Sequence, residues 1–90
     1  MNHVVVTTRF RGVFFGKIKE RDGETVVLQD ARNCIYWSAE TKGFLGLTTM
    51  GPQEGSRIGP ATSEIELFGV TSITKCSPEA VKAWESLQWK

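Results

Sequence analysis

One histidine, two cysteines set far apart, three prolines and a near balance of charge are what this 90-residue chain has least to offer chemistry. Each shortage removes a class of function. With His3 as the sole imidazole, and Cys34 and Cys76 without a nearby partner, the ligand count for a protein-bound metal is not met. A nucleophile–base–acid set would have to draw on His3 at the chain terminus, and no serine or cysteine lies near it in sequence. Gly51-Pro52-Gln53-Glu54-Gly55-Ser56 lacks the Gly-Lys-Ser/Thr ending and the strand-to-helix setting of a phosphate loop. The expectation is therefore a protein that is not an enzyme and carries no metal and no cofactor. Eleven basic against ten acidic residues argue against a general nucleic-acid coat, but leave room for a local cluster that takes a small anion. No apolar run is long enough to span a bilayer, and Met1-Asn2-His3 passes directly into Val4-Val5-Val6 without a signal-peptide layout. A cytoplasmic location with reduced thiols follows as the expectation, with a Cys34–Cys76 contact across a sheet left open.

Aromatic residues are what the chain has in plenty. Three Trp and five Phe in a domain so small, which buries only about 60% of its unfolded surface, favour a homo-oligomer. The length bounds the chain to one domain, residues 1–90.

The pattern is mostly that of strands. His3 to Thr8 is short and β-branched. Val13 to Glu20 and Thr25 to Gln29 flank Asp22-Gly23, a two-residue hairpin signal that would set Arg21 opposite Glu24 and Ile18 opposite Val27. Phe14, Ile18 and Val27 would then share one face, and Val13, Phe15, Lys17 and Leu28 the other. Ser38 is a fair helix cap, but Gly43 and Gly46 each cost about 1 kcal/mol in a helix interior, so one or two turns or an irregular loop anchored by Phe44 is expected. Residues 51–62 read as loop. Ser63 to Thr74 reads as one strand, or two broken at Gly69. Ser77-Pro78-Glu79-Ala80 opens a helix: Ser77 caps, Pro78 fits the first position and Glu79 suits the dipole. Trp84 falls on its apolar side, and Trp89 is placed to pack locally or to reach a second subunit. The predicted fold is α+β: a small antiparallel sheet of about four to six strands with a C-terminal helix over 77–88 packed on it.

The stretch from Gln29 to Ala39 holds the densest mixture of base and aromatic. Strand alternation puts Arg32, Cys34, Tyr36 and Ser38 on one face and Asn33, Ile35 and Trp37 on the other. Ile35 and Trp37 are then core candidates, and Arg32 and Tyr36 share a solvent face about 13 Å apart along the strand. A guanidinium and a phenol there could grip an anion and stack on a planar ring. The plainer reading is a wet face with Arg32 paired to Asp30. Arg9-Phe10-Arg11 is a second basic–aromatic cluster, and Arg57 is the only base in the 51–62 loop.

Gly12-Val13-Phe14-Phe15-Gly16, Val26-Val27-Leu28 followed by Ala31-Arg32, Tyr36-Trp37, Glu64-Ile65-Glu66-Leu67 and Ile73 through Ala80 together resemble a family of small tailed-bacteriophage and prophage proteins whose function is unknown. The resemblance covers nearly the whole chain through the order and spacing of these segments. This chain has Asn33 where the family usually has a second base, and Ile35 where it has an aromatic. Arg32, Tyr36 and Trp37 are the matching positions. The resemblance implies a non-catalytic accessory protein acting in the host cytoplasm by binding. Foremost is a sponge that sequesters a nucleotide-derived immune signal, with Arg32, Tyr36 and Trp37, helped by Arg9, Arg11 and Arg57, meeting a small anionic or nucleotide-like ligand. The alternatives are an inhibitor that binds a host defence protein, or a minor virion or nucleic-acid-associated protein.

Overall fold

The structure, a computed structural model, describes residues 3–9 and 12–87. Six strands follow the chain: β1 (His3–Thr8), β2 (Val13–Asp22), β3 (Thr25–Tyr36), β4 (Arg57–Ile58), β5 (Thr62–Leu67) and β6 (Val70–Lys75). Between β3 and β4 lie a single 3-10 turn (Ala39–Thr41) and α1 (Gly43–Thr49); α2 (Pro78–Ser86) follows β6. The strands form one antiparallel sheet in the order β4-β3-β2-β1-β6, with β5 also on β3. The fold class is thus α+β, a six-stranded antiparallel sheet with a C-terminal helix.

The sheet is rolled. β5 sits at one edge and β6 at the other, yet only Phe68-Gly69 joins them, a span too short to cross a flat sheet. At that end the roll is latched by the Val70 amide, which donates to the Glu24 carbonyl at 3.0 Å. Val4, Val6, Val26, Leu28 and Leu67 fill the inside, with Phe14, Ile18 and Ile73 against them. The helices cover part of the outside. Val5, Phe15, Leu47, Ile58, Ala80 and Trp84 form this second cluster. Both faces of β2 are apolar near Val13–Phe15 because one looks into the roll and the other looks at the helices.

α2 begins as its sequence dictates. Ser77 accepts a hydrogen bond from the Ala80 amide at 3.1 Å, and Pro78 takes the first turn. Ser38 differs from expectation: its hydroxyl makes no cap and lies buried in a network with Thr41 and Ser56. α1 runs two turns despite its glycines. A Cβ on Gly46 would stand 1.6 Å from the Thr41 carbonyl oxygen, so the helix sits on the preceding turn at a distance only glycine allows. Gly46→Ala is expected to cost more than an ordinary core substitution, about 3 kcal/mol or above, measurable as a drop in urea midpoint.

Three sequence expectations are corrected at β2 and β3. The turn residues are Gly23 and Glu24, not Asp22 and Gly23: Asp22 pairs with Thr25, Arg21 with Val26 and Ile18 with Leu28. Gly23 alone carries a positive φ of 61°, the φ pattern of a type II′ turn, which wants glycine at its first central position. Phe14 and Ile18 accordingly share the inner face with Val26 and Leu28, whereas Val27 faces out. Finally, Ile35 is not core but 52% exposed, whereas Trp37 does pack on the outer cluster.

Cys34 and Cys76 are both free thiols at the outer cluster. Burial pushes Cys34 up to about 11 and Cys76 up to about 12. At pH 8 an alkylating reagent should label them far more slowly in the native chain than in urea. From about pH 9 upward the unfolded chain releases these protons and the folded chain keeps them, so stability should fall with rising pH until about 11 to 12. Urea midpoints at pH 8 and pH 10 test the sign.

Candidate functional site

The site begins with a fault in a strand. Between Phe15–Arg32 and Lys17–Gln29 the β2–β3 register slips by one, because β3 carries an extra residue opposite Gly16. Asp30 takes up the slip with a left-handed φ of 52°. Gly16 permits it: a Cβ there would lie 3.0 Å from the Gln29 carbonyl oxygen. A second slip between Ile18 and Glu20, this time with Lys19 extra on β2, restores the register towards the turn.

The bulge changes the phase of everything after it. Ala31 joins the inner cluster with Val26 and Leu28, and Arg32 turns outward under α2. Arg32 is therefore not a wet residue; it is 8% exposed. Its Nε donates to the Gly59 carbonyl at 2.8 Å, and its Nη1 donates to the carbonyls of Trp84 at 2.6 Å and Leu87 at 2.7 Å. The guanidinium thereby caps the C-terminal end of α2, where a cation also suits the helix dipole. Burial lowers its pKa, but a guanidinium keeps its charge in a protein.

Among the described residues, Arg32 Nη2 makes no hydrogen bond. Arg32 lines a cleft of about 870 Å³ beneath the end of α2, together with Phe15, Lys17, Asp30, Glu85 and Ser86, among others. Lys17 Nζ stands 3.6 Å from the Asp30 carboxylate, and Glu85 stands 3.4 Å from His3 Nε2. Phe15, in the lining, is the middle of a stack of rings: His3 lies on Phe15 at 5.2 Å, and Phe15 lies on Trp84 at 4.9 Å. Both faces of Phe15 are thus taken, leaving none for a ligand to stack on.

The residues singled out from sequence do not form one site. Arg32 lies in the cleft. Tyr36 is 57% exposed and pairs across the β3–β4 ladder with Arg57, which brings those two together at the far end of β3. Trp37 is half-buried against the outer cluster. Arg9 is held by Glu24 at 2.6 Å beside the latch of the roll. Arg11 lies outside the described residues, as do Phe10 and Trp89. The expected Arg32–Asp30 pair is absent: Asp30 faces Lys17 and Arg32 faces backbone carbonyls. Sequence reading passed over Lys17 and Asp30 because a bulge at a non-glycine residue leaves no periodic trace. No helix of the described residues is long and apolar enough to cross a membrane.

Residues 1–84 match the family described as a domain of unknown function, DUF6948, and the chain belongs to that family. No curated protein and no solved structure matches it.

Proposed function

We propose that this member of the DUF6948 family is a non-catalytic binding protein, a phage accessory factor that counters host defence in the host cytoplasm by sequestering a small anionic, nucleotide-derived signal. One observation supports the anionic ligand: Arg32 and Lys17 line the same open cleft, and among the described residues Arg32 Nη2 makes no hydrogen bond. A phosphate there would gain charge-assisted hydrogen bonds, each worth about 1.5–3 kcal/mol. Tyr36 with Arg57 is a separate pair at the other end of β3, to which a base could stack. Self-association would enlarge either surface, in keeping with the small size of the domain.

The test is ligand extraction from infected cells. The purified protein is denatured and the released small molecules are identified by mass spectrometry, with Lys17→Ala in parallel. The reading expects a phosphate-bearing molecule with the unaltered chain and at least tenfold less with Lys17→Ala. Recovery of no such molecule, or equal recovery from both, would overturn it.

A second reading, an inhibitor that grips a host defence protein, is favoured by the large apolar side chains left in solvent at Ile35, Tyr36, Leu45 and Phe68. Its test is a pull-down in which Phe68→Ser or Tyr36→Ser releases a partner that the unaltered chain retains.

A further inference from the structure

Accepting the anionic cleft of the proposed function, we infer that Asp30 is its internal occupant, which any ligand must displace, and that the site selects a phosphomonoester dianion over a singly charged phosphodiester. Asp30 occupies the bulge at a φ that glycine adopts more readily, and Asp is there with its carboxylate 3.6 Å from Lys17 Nζ. The same cleft holds Arg32. Glu85, the other acid of the lining, is turned to His3. The anion-facing charge is thus two cations, one of them already answered by Asp30.

An incoming anion has to take Lys17 from Asp30. A monoanion exchanges one carboxylate charge for one phosphodiester charge and gains little. A phosphomonoester carries close to two charges above about pH 6, so it replaces Asp30 and keeps one charge for Arg32. In a cleft open to water, one extra unit charge at about 4 Å is worth about fivefold in affinity. Asp30 lowers the affinity of both anions, and the selection arises from the charge of the phosphate, with no contact to base or sugar.

The probes are AMP and 3′,5′-cyclic AMP, which share base and ribose and differ in phosphate charge. Affinities are read at pH 7.5 from amide shifts of residues 29–32 in ¹⁵N-labelled protein. The unaltered chain should bind AMP about fivefold more tightly than cyclic AMP, and lose that preference below pH 6, where AMP takes up its second phosphate proton. Asp30→Asn should tighten both, bringing cyclic AMP to about the affinity AMP has for the unaltered chain. Asp30→Gly, which suits the left-handed backbone, should behave alike and guards against a folding effect of the first variant. Equal binding of the two nucleotides by the unaltered chain, or no tightening in either variant, overturns the role of Asp30 while leaving the anionic cleft in place. Absence of binding by Asp30→Asn and Asp30→Gly at 10 mM of either probe overturns the cleft as well.

Discussion

Trp84→Ala is expected to take away a large part of the chain's stability at 25 °C. The indole is fully buried and stacked on Phe15, and its Nε1 donates to the Leu47 carbonyl at 2.9 Å. That one side chain ties α2 to β2 and to α1. Truncation of a buried tryptophan costs about 3–5 kcal/mol, and a domain this size has only about 5–14 kcal/mol to lose. Trp84→Phe separates the two contributions. It keeps an aromatic on Phe15 but leaves the Leu47 carbonyl without its donor, for which about 1–3 kcal/mol is expected. Urea denaturation followed by far-UV circular dichroism reads both, and a Trp84→Ala midpoint close to that of the unaltered chain would show that α2 is not held by its tryptophan.

Arg32→Ala should be nearly as damaging, for a different reason. Three carbonyl oxygens, of Gly59, Trp84 and Leu87, accept from this guanidinium at 2.6–2.8 Å. Hydrogen bonds to a charged group are worth about 1.5–3 kcal/mol each, but returning the charge to water refunds part of the sum, so a net loss of about 3 kcal/mol is expected. The sequence-based expectation was different, a residue on a solvent face that meets a ligand. Arg32→Met retains the stem and removes the donors, so it should lose most of the same stability if the hydrogen bonds dominate. Arg32→Lys keeps the charge but lacks the planar fork that spans acceptors on two elements, and should recover only part. Thermal melts within 2 °C of the unaltered chain for all three would reduce Arg32 to a surface residue. Because the residue holds up α2, its removal is a poor probe of ligand binding, and Lys17 is the better one.

What could be read from the sequence is what is decided locally. β1 has the predicted bounds, and the Ser77-Pro78-Glu79 start of α2 is as expected, because β-branched runs and capping residues act within a few positions. The break at Phe68-Gly69 follows from glycine, whose φ there is 67°. Arg32 was misread because two things that fix it are remote. One is the bulge at Asp30, which reverses which residues of β3 meet the core. The other is the identity of its acceptors, 27 to 55 residues further along the chain. Ile35 and Tyr36 were assigned to opposite environments, yet both are exposed, since β3 outruns the helices that cover its middle. The candidate cleft was legible only as Arg32; Lys17 and Asp30 enter it through register.

The roll of the sheet sets an order of assembly. β2 and β3 are neighbours in the chain, and their ladder can zip from the Gly23-Glu24 turn as soon as both exist. β1 has β2 on one edge, but its other partner is β6, with Val4 against Lys75 at nearly opposite ends of the chain. Closing so long a loop carries a large entropic cost before any contact repays it, which places the β1–β6 ladder late in folding and makes the whole slow for its size. On the ribosome, β1 emerges first and must hold an unpaired edge of Val4-Val5-Val6 until β6 has followed, and that interval is when the nascent chain is most exposed to pairing with a stranger.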